Sequence, residues 1–152
     1  RNIEGHVAAT LPLSYQGNLI EDIELDFENG RIVKASASKG LPVLQKLIDT
    51  DEGAKSLGEV SLVPDPSPIA QGGVLFYNTL FDENASDHLA IGAAYASNIA
   101  GGKTDQPEDL AKRGWNISDV HVDFMVGSAD MSIDGVTQDG QIVPVFRNGD
   151  WA

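Results

Sequence analysis

Hydrophobic and polar positions alternate most regularly at Ile23, Leu25 and Phe27, with an acid after each of them. A period of two marks a half-buried strand. Asn29-Gly30 follows, a dipeptide suited to a type I′ hairpin turn because both residues tolerate positive φ, and residues 31–37 form the return strand. An extended segment over 5–13 precedes the hairpin. Leu41, Leu44, Leu47 and Ile48 then fall on one stripe of a helix over 41–48, with a second short helix predicted over 49–56. Residues 59–63 read as a buried strand ended by Pro64, Pro66 and Pro68. A short apolar run over 74–77 leads into an acidic turn. The pattern over 84–97, with Leu89, Ile91 and Tyr95 among small residues, predicts a helix. A glycine-containing loop at 100–107 and a helical turn at 108–112 come next. Strands follow at 120–127, 131–136 and 142–146, with turns at Asp134-Gly135 and Asp139-Gly140. Strands outnumber helices and hairpins outnumber long crossovers. The class is therefore α+β, with a mainly antiparallel or mixed sheet and a few helices.

Composition narrows the chemistry more than the fold. A chain of 152 residues with 41% hydrophobic and 22% charged residues suits one ordinary domain able to bury a core. There is no cysteine, so disulfides, thiolate metal sites and a cysteine nucleophile are excluded. Any metal must be held by oxygen and imidazole nitrogen. A cysteine-free chain also agrees with a reducing cytoplasm. The formal charge of −13 argues against a nucleic-acid partner. No apolar run approaches transmembrane length and no signal peptide is visible, so no membrane partner is expected. Arg1 is not an initiator Met, and residues 3–12 read as the middle of a structure, as expected of a fragment of a larger protein.

Three histidines are present, and two have informative neighbours. His121 and Asp123 stand two apart in a strand, so both face one side of the sheet. Together they could bind a divalent cation, or simply line a solvated strand face. His88 and Tyr95 lie seven apart in the predicted helix and nearly share a face, which suits either a ligand stripe or ordinary packing. Asp82 or Asn84 could cap that helix, with Glu83 favoured by its dipole. Glu59 is a lone acid entering an apolar strand, and a buried carboxylate needs a partner, either a cation or a basic side chain. Asp65, Asp105, Asp130 and Asp134 belong to turns. His6, in the first extended segment, is expected to have no acid near it and to be ordinary surface or edge.

The order of several motifs adds what each motif alone lacks. Gly58-Glu59-Val60 leads to Val63-Pro64, then Ser67-Pro68-Ile69. Leu75-Phe76-Tyr77-Asn78-Thr79-Leu80-Phe81-Asp82-Glu83-Asn84 comes next, and His88-Leu89-Ala90-Ile91-Gly92 after it. His121-Val122-Asp123-Phe124-Met125-Val126-Gly127-Ser128 and Gly149-Asp150-Trp151-Ala152 complete the series. With Leu11-Pro12-Leu13 and Phe27-Glu28-Asn29-Gly30, the whole resembles the M29 peptidases, the thermophilic-type metallo-aminopeptidases also called aminopeptidase T, S or II.

By that resemblance Glu59, His88, His121 and Asp123 are metal ligands. Tyr95 lies at the metal site, as a ligand or as a donor to the oxyanion of the tetrahedral intermediate, and Glu59 and Tyr95 take part in catalysis. The implied cofactors are two divalent ions, Zn²⁺ or Co²⁺, with Mn²⁺ or Mg²⁺ as further candidates. They activate a shared water that removes the N-terminal residue of a peptide bearing a free α-amine. Asp123, with two oxygens, is the expected bridge between them. Residues 1–152 would form the C-terminal, metal-binding catalytic domain of a two-domain enzyme, a cytoplasmic homodimer. A further ligand glutamate and a second glutamate nearby would lie upstream, so the fragment alone would be incomplete. The alternatives are a non-catalytic assembly module and a metal-stabilised structural domain with no open coordination position.

Overall fold

The computed structural model describes residues 3–102 and 104–152. Arg1 and Asn2, and Lys103 within the loop expected at 100–107, lie outside the described residues.

The expected hairpin is present. Strand β1 (Gly5–Ala8) is followed by β2 (Leu13–Tyr15), β3 (Asn18–Ile20), β4 (Glu24–Glu28) and β5 (Arg31–Ser36). β4 and β5 pair antiparallel around Asn29 and Gly30, which sit at φ 51° and 78°. β1 joins the other edge of β4. Ile23, Leu25 and Phe27 are buried, as their alternation requires. The β1–β4 register sets His6 directly opposite Asp26, and His6 Nδ1 lies 2.7 Å from its carboxylate. That corrects the reading of His6 as distant from any acid. The two are twenty residues apart, and only strand pairing brings them together.

Helix α1 (Leu41–Ile48) buries Leu44, Leu47 and Ile48 against the sheet. Residues 49–56 do not make a second helix; they form only a 3-10 turn at Gly53–Lys55. Asp51 stabilises that turn by accepting from the Ala54 N–H. Beyond it run β6 (Leu57–Ser61), α2 (Pro68–Gly72) and α3 (Thr79–Asp82). The two short helices begin at Ser67 and Asn78, whose side chains accept from the amides of Ala70 and Leu80.

The largest departure is at residues 84–97. His88–Gly92 is a strand, β7, with a loop and a 3-10 turn at Ala96–Asn98 after it. The remaining elements are α4 (Pro107–Lys112), β8 (His121–Met125), β9 (Ile133–Val136), β10 (Ile142–Arg147) and β11 (Asp150–Trp151). β7 pairs with β6 on one side and β8 on the other, both antiparallel. Five residues are too few to separate helix from strand by periodicity, and two waiting partner strands decide the outcome. Asp134-Gly135 is likewise no turn: it lies inside β9, while residues 137–141 make the reversal.

Every strand ladder among the described residues is antiparallel, so the α+β class with a mainly antiparallel sheet is correct. One core unites the parts. Leu89, Ile91, Val122 and Phe124 from one face of β6–β7–β8 meet Leu13, Ile20, Leu25, Phe27 and α1. The opposite face of that three-stranded sheet is thereby left for polar groups. No helix among the described residues is long and apolar enough to cross a membrane.

Candidate metal centre

Strand pairing builds the site. Glu59 on β6, Ala90 on β7 and Asp123 on β8 stand in one row across the sheet. Side chains two apart share a face, so His88 joins this row from one side and His121, opposite Gly92, from the other. Core-facing and site-facing residues therefore alternate along β7 and β8. The small Ala90 between the two acids leaves space above the middle strand. Gly58 forms an irregularity between Leu57 and Glu59 in the β6–β7 register. It turns Glu59 onto the site face while Leu57 remains packed on the core.

Glu59, His88 and Asp123 each offer a ligand atom within 4.8 Å of the others. Glu59 Oε1 lies 3.5 Å from His88 Nε2, and Glu59 Oε2 lies 3.6 Å from His121 Nε2. Asp123 Oδ1 is 3.5 Å from the same His121 nitrogen. These separations exceed an ordinary N–H···O hydrogen bond. They approach the spacing of about 3.3 Å between two ligands each about 2.0–2.1 Å from a tetrahedral zinc.

The outer nitrogens explain why the inner ones face acids. His88 Nδ1 contacts the Ser86 carbonyl at 3.1 Å, and His121 Nδ1 contacts the Ala93 carbonyl at 2.6 Å. A carbonyl only accepts, so each Nδ1 carries the proton in the neutral ring. In the neutral ring each Nε2 lone pair then points toward a carboxylate, an arrangement that a cation between them would relieve. Two imidazoles with carboxylates and no sulfur suit Zn²⁺, Co²⁺ or Mn²⁺. The residues present therefore fit a divalent ion.

Sequence reasoning missed one acid here. Glu83, read as a helix-dipole partner, belongs to a 3-10 turn at Glu83–Ala85 and meets Asp123. Burial pushes its carboxyl up, the charge and hydrogen bond of Asp123 push it further, His88 opposes and Glu59 adds to the rise. A cation would relieve this crowding. Neither Asp82 nor Asn84 caps a long helix. The Asp82 carboxylate is buried and accepts from the amides of Phe76 and Asn78, folding the loop that carries Glu83. Buried Asp87 accepts from the Val63 N–H at 2.7 Å and so ties the end of β6 to the start of β7. Its carboxyl is also raised by burial, with the Val63 hydrogen bond and His88 opposing.

Tyr95 reaches the site by another route than a shared helix face. It follows β7 in a loop, with its ring centroid 4.9 Å from that of His121 and its side chain exposed.

The family model for the thermophilic metalloproteases (M29) matches residues 1–151. The chain belongs to the M29 family. It is 61% identical over 150 residues to aminopeptidase AmpS of Bacillus subtilis (strain 168), covering 99% of this chain and 37% of that protein. To aminopeptidase T of Thermus aquaticus it is 50% identical over 149 residues, covering 98% of this chain and 36% of the relative. A solved structure titled wild-type AmpT from Thermus thermophilus superposes with a TM-score of 0.91 at 51% identity, over 97% of this chain and 36% of that one. The chain thus spans a little over a third of the length of these M29 relatives.

Proposed function

We propose that this chain is the C-terminal, metal-binding part of a two-domain aminopeptidase that removes the N-terminal residue from peptides at a dinuclear site. The carrying observation is that both histidine Nε2 atoms are turned into the carboxylates of Glu59 and Asp123 by carbonyls behind them. The aminopeptidase names of the M29 relatives support the reaction class.

Divalent cations held here would supply Lewis-acid chemistry, lowering the pKa of a water and polarising the scissile carbonyl. Glu59, His88, His121 and Asp123 are the ligands in this reading. The two oxygens of Glu59 face different imidazoles, which suits Glu59 as a bridge beside Asp123. Glu83 is a further oxygen donor, and it or Asp123 can receive the positive α-amine of the peptide. Tyr95, exposed with its ring beside that of His121, would be the hydrogen-bond donor toward the developing oxyanion. Zn²⁺ or Co²⁺ suits the donor set, with Mn²⁺ or Mg²⁺ as alternatives. The reading extends to a homodimer in the cytoplasm, consistent with a cysteine-free chain.

The test pairs metal analysis of the intact protein with hydrolysis of an aminoacyl chromogenic amide. Near-stoichiometric metal with turnover is expected, and Glu59→Ala or His88→Ala should abolish turnover while the protein stays folded, with Glu59→Ala losing both ions and His88→Ala one of them. Full metal uptake without hydrolysis of any N-terminal residue would instead favour a metal-stabilised module. Normal turnover in either variant would refute the ligand assignment.

A further inference from the structure

The orientation of His121 depends on backbone that is gripped from the loop after α4. All three N–H groups and all three carbonyls of residues 92–94 have partners. The Gly92, Ala93 and Ala94 amides donate to the carbonyls of Ser56, Val120 and Asn116 at 2.9, 2.7 and 2.9 Å. The Gly92 carbonyl accepts from Asn116 Nδ2 at 2.6 Å, and the Ala94 carbonyl accepts from Trp115 Nε1 at 2.6 Å. Between these two, the Ala93 carbonyl receives His121 Nδ1. The Asn116 amide also donates to the Gly53 carbonyl at 2.8 Å. With carbonyls as both partners, its nitrogen rather than its oxygen must face them.

The grip has no slack. Gly92 sits at φ 99°, a conformation L side chains rarely adopt, and a Cβ there would lie 2.1 Å from the Val120 oxygen. A Cβ on Gly58 would lie 2.1 Å from the Ala93 oxygen itself.

We infer that Asn116, backed by Trp115, is a positioning residue for His121. It holds residues 92–94 so that the Ala93 carbonyl captures Nδ1–H and leaves Nε2 facing Glu59 and Asp123. This role rests on the metal-binding reading above, yet it can be tested apart from it. His88 is the internal control, because its Nδ1 meets Ser86 and owes nothing to Asn116.

The experiment uses the intact protein and Asn116→Asp, which keeps the shape but turns a carboxylate oxygen toward two carbonyls. Metal-free samples are compared by long-range proton–nitrogen spectra of the imidazole rings, at a pH about two units above the ordinary histidine value. The Nδ1–H tautomer of His121 is expected in the parent and its loss in the variant, with His88 unchanged. Titration with Co²⁺, read by its absorption spectrum, should show binding weakened roughly 10- to 100-fold, the usual size of losing an outer partner of a ligand. Trp115→Phe removes a single hydrogen bond and should weaken binding about 3- to 10-fold. A folded Asn116→Asp protein with the parental His121 tautomer and Co²⁺ affinity would overturn the inference. If that variant does not fold, the same result for Trp115→Phe would do so. A parent that takes up no Co²⁺ would sink the metal reading instead, while the metal-free tautomer comparison would still decide the role of Asn116.

Discussion

Metal-linked stability offers the most discriminating measurement on the site. Glu59 turns one oxygen to His88 at 3.5 Å and the other to His121 at 3.6 Å, and Asp123 joins the His121 side at 3.5 Å. In the dinuclear reading proposed above, the two ions would share Glu59 through this splitting. A ligand that binds only the folded state stabilises it by about 1.4 kcal/mol per tenfold rise in free ligand once above its dissociation constant. Two ions should therefore give a slope of about 2.8 kcal/mol per decade of free Zn²⁺. His88→Ala removes one imidazole and should cut the slope to about 1.4 kcal/mol per decade. Glu59→Ala, which both positions share, should flatten it. The assay is urea unfolding of the intact protein in zinc buffers spanning several decades, with chelator alone as the metal-free reference. A flat parental slope would refute metal binding by the folded site. A full slope retained by His88→Ala would refute the division into two positions.

Other expectations test how the site is supported. Gly58→Ala should cost about 3 kcal/mol in urea unfolding, because its Cβ would fall 2.1 Å from the Ala93 oxygen and 2.4 Å from the Gly92 oxygen, both immobile backbone; unchanged stability would show that this approach is not tight. Asp51→Ala should cost about 2 kcal/mol at neutral pH, since Ala54 N–H, Ser118 Oγ and Asp119 N–H all lose their acceptor. Its carboxyl lies below the ordinary aspartate value, chiefly through the Asp119 amide. The stabilisation is therefore present above that ordinary value and lost as pH falls through the depressed one, so parent and variant stabilities should converge in acid. Phe124→Ala should cost about 3–5 kcal/mol, because the ring is 1% exposed and lies behind Asp123 in the core. Apparent Zn²⁺ affinity, followed by competition with a chelating dye, should fall as pH drops through the histidine range, because only neutral imidazole can ligate; an affinity flat across that range would exclude the histidines.

Local pattern determined some parts of this protein. The alternation of Ile23, Leu25 and Phe27 with Asn29-Gly30 specified the first hairpin, since period two and a two-residue turn are local properties. The stripe at Leu41, Leu44, Leu47 and Ile48 specified α1 for the same reason, although Leu41, in its first turn, stays exposed. His121 and Asp123 could be placed on one face of a strand from spacing alone. Motif order pointed to the M29 family and to Glu59, His88, His121 and Asp123 together, although each residue considered singly was ambiguous.

Tertiary structure decided the rest. His88-Leu89-Ala90-Ile91-Gly92 became a strand because β6 and β8 flank it and satisfy its backbone on both sides, which no window of sequence contains. The same pairing put Ala90 between Glu59 and Asp123, and brought Glu83 to Asp123 from a turn that reads as a helix start. His6 found Asp26 only through the β1–β4 register. Which imidazole nitrogen faces the acids was settled by the Ser86 and Ala93 carbonyls. Hydrophobic period reports which face a residue occupies; ligand convergence and proton placement depend on neighbours supplied by distant segments, and those exist only once the chain has folded.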